Sequence, residues 1–162
     1  MPRLKLFLLM ALAACAPAPK TTVSAFRPAD APLYSAAAFQ PARIEGEWRQ
    51  AAALSAAPTP GCAPGAVRFQ GGTVSGSLCL NGRQVAVSGP YNISGPGRLQ
   101  VPGMGDWWVI WVDSGYRTLA IATPRGDFGF VLDRGSISPD RLVAAGEIFE
   151  FNGHSKARLR PF

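Results

Sequence analysis

Trp107-Trp108-Val109-Ile110-Trp111-Val112-Asp113, Ser114-Gly115-Tyr116, Arg117-Thr118-Leu119-Ala120-Ile121-Ala122, Thr123-Pro124-Arg125-Gly126-Asp127 and Phe128-Gly129-Phe130-Val131-Leu132-Asp133-Arg134 follow one another without interruption. Three runs rich in aromatic and branched residues alternate with short clusters of turn residues. That pattern predicts consecutive antiparallel strands joined by tight connections. The chain is therefore read as an all-β meander.

Composition agrees. A chain of 162 residues with 48% hydrophobic and only 16% charged residues is long and apolar enough to bury one core. Its 18 glycines and 15 prolines disfavour long helices and suit strands and turns.

Working back from Trp107, the same signals recur. Runs at 44–54, 66–70, 73–80, 84–93 and 98–101 read as strands. Gly71-Gly72 and Asn81-Gly82 supply two-residue hairpin turns, and the Pro/Gly-rich stretch 58–65 supplies a loop. With 107–112, 117–122 and 128–134 this makes eight strands. Downstream, Ser138 suits a helix N-cap, Pro139 a first position and Gly153 an end. Leu142, Ala145, Gly146 and Phe149 give that helix a narrow apolar stripe, so it is expected to lie outside the sheet. A short strand at 156–160 ends the chain.

The first residues read as a leader. Arg3 and Lys5 precede the apolar run Leu6 to Leu12, which is too short to span a bilayer. Leu12-Ala13-Ala14-Cys15 resembles the bacterial lipobox, which implies cleavage after residue 14 and a lipidated Cys15. Several buried acyl chains at about 0.8 kcal/mol per methylene make such an anchor permanent. Ala16, rather than aspartate, follows the cysteine, which implies an outer-membrane address facing the periplasm. Residues 15–38, rich in Pro and Ala, read as a semi-extended tether, and 39–162 as the folded domain.

With Cys15 consumed by lipid, Cys62 and Cys79 remain as an even pair in an oxidising compartment. Pairing across the Gly71-Gly72 turn sets them within two residues of facing each other, so a disulfide is expected. It is worth about 3 kcal/mol in the chain-entropy account. Two cysteines with the distant His154 make a poor metal site.

The formal charge of +6, less the two cations of the leader, is spread singly along the chain with no basic run or aromatic-basic stripe, which argues against a nucleic-acid partner. No Gly-x-Ser-x-Gly elbow is present. The lone His154, near a helix end, reads as a capping or surface residue. Asp127 and Asp133 read as solvated turn residues rather than an acid pair. No enzyme activity, cofactor or metal is expected.

A Gly-x-Trp on the first strand (Gly46-Glu47-Trp48), an Asp-x-x-Tyr between the sixth and seventh (Asp113 to Tyr116) and an arginine ending the eighth (Arg134), followed by a single helix, resemble the lipocalins. The likeness is to the bacterial outer-membrane lipoprotein members related to apolipoprotein D, and it runs from Phe39 to Phe162, thinly over 58–106. It implies an eight-stranded up-and-down barrel with one C-terminal helix packed outside. It also implies a structural plug in which Arg134 lies over Trp48 at the closed end beside Gly46, and a cavity for one small lipophilic ligand such as a fatty acid or lysophospholipid.

If Arg134 points to the barrel axis, alternation puts Leu132, Phe130 and Phe128 on the inner face. For the sixth strand alternation alone leaves two sets open: Trp107, Val109 and Trp111, or Trp108, Ile110 and Val112. The resemblance favours Trp108 and Ile110 inside. The cavity candidates are therefore Trp108, Ile110, Phe128 and Phe130. A periplasmic proteinase-inhibitor barrel, and a structural envelope lipoprotein with a side-chain-filled barrel, remain as alternatives.

Overall fold

A computed structural model describes residues 26–162; the leader, Cys15 and the first part of the spacer lie outside the described residues. The wall is built from β1 (Gly46–Leu54), β2 (Ala66–Gln70), β3 (Thr73–Leu80), β4 (Arg83–Pro90), β5 (Asn92–Gly95), β6 (Arg98–Val101), β7 (Gly105–Val112), β8 (Thr118–Ala122) and β9 (Gly129–Asp133). Every pairing is antiparallel, and the spatial order is β4-β3-β2-β1-β9-β8-β7-β6-β5. This is an up-and-down barrel of the expected class, with nine wall strands in place of eight.

The difference lies at Tyr91. The expected strand 84–93 is one extended stretch whose first half, β4, pairs with β3 and whose second half, β5, pairs with β6. Pro90 has no N–H to give a ladder and Gly89 has φ +140°, so the chain turns there and carries the wall round to its other edge. Covalent continuity through Pro90-Tyr91-Asn92 thus nearly closes the barrel.

Helix α1 (Pro139–Phe151) follows, with the Ser138 hydroxyl accepting from the Arg141 N–H at 3.4 Å. β10 (Leu159–Pro161) pairs with the upper half of β1, on the edge that β2 occupies lower down. Residues 156–158, expected as strand, form a single 3-10 turn instead.

Two apolar clusters result. One fills the barrel and includes Trp48, Phe69, Leu78, Trp107, Phe130 and Leu132. The other lies between the outer wall and α1, where Ala120, Ala122 and Val131 meet Ala145 and Phe149. A Cβ on Gly129 would lie 2.8 Å from both Leu54 Cδ1 and Phe149 Cε1, so the bare backbone there lets the helix sit close. Cys62 and Cys79 form a disulfide with Cα atoms 5.7 Å apart. It ties the long β1–β2 loop to β3.

Residues 26–38, which composition assigns to a free tether, lie along the outside of the barrel. The Ala36 N–H donates to Val109 O at 2.7 Å and the Tyr34 N–H to Asn152 Oδ1 at 2.7 Å. Among the described residues, the part of the chain held to the barrel thus includes 26–38 as well as the expected domain from Phe39.

Candidate functional site

One end of the barrel is closed by the residues of the three motifs. Trp48 is fully buried and donates its indole N–H to Ile44 O at 2.6 Å. The Arg134 guanidinium lies 4.1 Å above the Trp48 ring and donates to the carbonyls of Tyr116, Arg43 and Glu45 at 2.8–2.9 Å. Burial lowers the Arg134 pKa from its ordinary value.

Gly46 has φ +105°, and a Cβ there would stand 2.9 Å from an Arg134 nitrogen, so the glycine of the first motif makes room for the arginine of the third. Asp113 Oδ1 accepts from the N–H groups of Arg117 and Thr118 at 2.7 and 2.6 Å, and the Tyr116 hydroxyl accepts from the Gln40 N–H at 2.7 Å. All of these contacts are architectural.

Above this plug the barrel is packed solid. Phe69, Leu78, Leu99, Trp107, Ile121 and Phe130 are each 0% exposed, so no space the size of a water molecule lies against them. Among the described residues the opening lies at the other end. There Leu80, Val85, Met104 and Phe128, with Arg83, Arg125 and Asp127, surround a bowl of about 690 Å³. That volume falls within the range of small-molecule sites, roughly 300–1,000 Å³.

Phe128 forms the link between bowl and core. It stacks on Phe130 with centroids 6.3 Å apart, and Phe130 meets Trp107 edge-on at 5.1 Å. The Trp107 indole N–H is buried and has no hydrogen-bond partner among the described residues. On the rim, Arg125 pairs with Asp127 at 3.0 Å, and the Thr123 hydroxyl also donates to Asp127. Arg83 is exposed and forms no ion pair among the described residues.

A larger depression, about 920 Å³, lies on the outer wall between Arg49, Ala66, Ser77 and Phe162, away from the barrel axis, with Ser136 and Ile137 also lining it.

Of the four cavity candidates, Phe130 is inside the barrel and Phe128 is half-buried at the mouth. Trp108 and Ile110 belong to the outer cluster beneath α1, and their expected inward placement is corrected. Simple alternation from the inward Trp107 and Val109 turns both outward, and a bulge between Val109 and Trp111 in the pairing of β7 with β8 then shifts the phase. An extra residue reverses the alternation beyond it. Trp107, Val109 and Val112 therefore face in while Trp108, Ile110 and Trp111 face out, a combination that belongs to neither alternating set. Arg98 stacks over the outward Trp108 ring at 4.1 Å.

Two polar expectations also change. Asp133 is buried rather than solvated: it pairs with Arg141 at 3.2 Å and accepts from the Thr118 hydroxyl at 2.7 Å. It stands at the opposite end of β9 from Asp127, so the two form no acid pair. His154 is 2% exposed behind α1, edge-on to Phe149 at 5.3 Å, with neither ring nitrogen partnered among the described residues. Burial, with the Arg27 charge as a lesser cause, lowers its pKa to about 4.

Gln50, which sequence reading passed over, is a buried polar residue whose carboxamide bridges strands; nothing in the local pattern of β1 signals it.

No protein-family model matches the chain, and no curated protein is similar to it in sequence. Solved structures do match in shape. Per a 4, a major cockroach allergen, superposes with a TM-score of 0.56 at 9% identity, over 81% of this chain and 92% of that one. The siderocalin Ex-FABP, described as working through dual ligand specificities, gives 0.53 at 13% identity over 74% and 95%. Lobster apocrustacyanin A1 gives 0.50 at 15% identity over 75% and 78%. At such low identity the likeness concerns the fold, and the fold of this chain is the lipocalin-type barrel.

Proposed function

We propose that this chain is a lipocalin that binds a small lipophile, a fatty acid or lysophospholipid, at the mouth of its barrel. It acts as a carrier or store at the bacterial envelope rather than as an enzyme. In this reading Cys15 bears the lipid anchor, and the domain stands in the periplasm on the outer membrane. The observation that carries the proposal is the bowl itself, whose apolar side chains run into the Phe128–Phe130–Trp107 stack while two arginines stand on its rim. An acyl chain suits the floor, and an anionic headgroup suits Arg83.

Titrating the protein with fatty acids and lysophospholipids while following tryptophan fluorescence tests this reading. Saturable quenching that is weakened by Phe128→Arg supports it. A folded protein that responds to none of them overturns it.

The dry interior supports a second reading, a structural envelope lipoprotein, for which the titration gives no response. The proteinase-inhibitor reading ranks below both, because a lipid anchor at Cys15 would leave an inhibitory N-terminal segment less free.

A further inference from the structure

From Phe26 to Gln40 the chain is a strap along the outside of the barrel, and it starts at the mouth. The Phe26 N–H donates to Gly126 O at 2.6 Å, in the β8–β9 turn that forms one wall of the bowl. Arg27 is only 5% exposed and donates to Pro124 O at 2.6 Å and Asn152 O at 3.3 Å, and to Ala31 O as well. A Cβ on Gly126 would collide with the Arg27 side chain, and one on Gly153 would come within 2.8 Å of Ala31, so both glycines admit the strap. The strap then passes Val109 and reaches the plug, where Gln40 meets Tyr116. The described chain therefore begins beside the bowl and not beside the plug.

We propose that the open end of the barrel docks mouth-down on a phospholipid bilayer, so that the bowl loads from and empties into the membrane. The inference rests on the reading of Cys15 as the lipid anchor. About eleven residues join Cys15 to Phe26, a reach of roughly 36–40 Å at full extension. With the mouth down, that reach has only to bridge from Phe26 to the bilayer; with the plug down, it would have to cover the length of the barrel as well.

Arg83, exposed and in no ion pair among the described residues, stands on the rim where phospholipid phosphates would lie, beside Arg125, which is paired with Asp127. The closed end carries both signs, with Glu45 and Glu47 beside the exposed Arg43 and Arg117, and Glu47 paired with Arg68. A lipophile then moves between bilayer and bowl without crossing water.

The test uses the full mature chain in phosphatidylethanolamine–phosphatidylglycerol vesicles. With Cys15 acylated and Cys62 joined to Cys79, an introduced cysteine is the one free thiol for a fluorophore. Asn81→Cys marks the mouth, leaving Arg83 in place, and Gln70→Cys the closed end. Nitroxide lipids are expected to quench the mouth label several-fold more strongly, and Arg27→Ala, which frees the strap, should erase the difference. Flotation and the mass of the Cys15 peptide report attachment separately. Attached protein with equal quenching at both ends overturns the orientation and leaves the anchor standing, and a chain that neither floats nor carries lipid overturns both.

Discussion

Gln50 on β1 reaches past the end of β2 and satisfies both backbone groups of Cys79 on β3. Its Nε2 donates to Cys79 O at 2.9 Å, and its Oε1 accepts from the Cys79 N–H at 2.8 Å and from the Gly65 N–H at 3.1 Å. A side chain here takes the place of a strand. β2 begins only at Ala66, opposite Arg49, and above that level the carboxamide supplies the rungs that a longer β2 would have made.

Gln50→Leu should therefore orphan three buried backbone groups at once. At about 1–3 kcal/mol for each group left unsatisfied, and with partial relaxation, a loss of about 2–4 kcal/mol is expected in urea unfolding. A loss below half a kcal/mol would show that water replaces the amide.

Arg141 holds the start of α1 to the barrel through Asp133, whose side chain is 1% exposed. Arg141→Leu should destabilise the fold by about 3 kcal/mol or more, because it leaves a buried carboxylate without its counter-charge. The double change Arg141→Leu with Asp133→Asn should cost clearly less than the sum of the two single changes. A strictly additive cycle would contradict the pairing.

The pKa of His154 is held at about 4 in the fold, against 6.5 for a free histidine. Between these values the unfolded chain binds the proton and the folded chain does not. The contribution of His154 to stability is thus complete above pH 6.5 and is lost as pH falls towards 4, by at most about 3 kcal/mol. His154→Phe should flatten this part of the stability–pH curve, as read by the urea midpoint at stepped pH. An unchanged slope would mean that other groups set the acid limb.

Gly46→Ala places a methyl group in a backbone conformation of φ +105° and against Arg134. A loss of about 1–3 kcal/mol is expected. The near-ultraviolet dichroism of Trp48 should change as the guanidinium shifts off its ring.

Much of this architecture was legible in the chain. The runs after Trp107, the two-residue turns, the Ser138-Pro139 helix start and the cysteine pair are local signals, and each element formed where its signal stood. The three motifs also lie where the resemblance puts them, with Arg134 over Trp48.

What escaped depends on register or on distant partners. The inward face of β7 could not be read by alternation, because the bulge before Trp111 changes the phase in mid-strand and both faces are apolar. The burial of Asp133 depends on Arg141, which arrives from a helix whose placement no local pattern fixes. A Pro/Ala-rich segment has the same composition whether it is free or laid on a barrel; what docks the strap is Arg27 finding the carbonyls of Pro124 and Asn152. The opening is equally invisible in the sequence, since inward apolar residues are needed whether a barrel is filled or hollow.

That the barrel is packed from the plug up to Phe130 bears on the kinetics of anything held at its mouth. A guest in the bowl displaces no core side chain and leaves one face uncovered, so entry and departure need no breathing of the wall. Residence is then governed by the contact area on Phe128, Met104, Val85 and Leu80 and by the headgroup contact with Arg83. Such a site exchanges its guest quickly, and the melting temperature rises only as the free guest exceeds its dissociation constant.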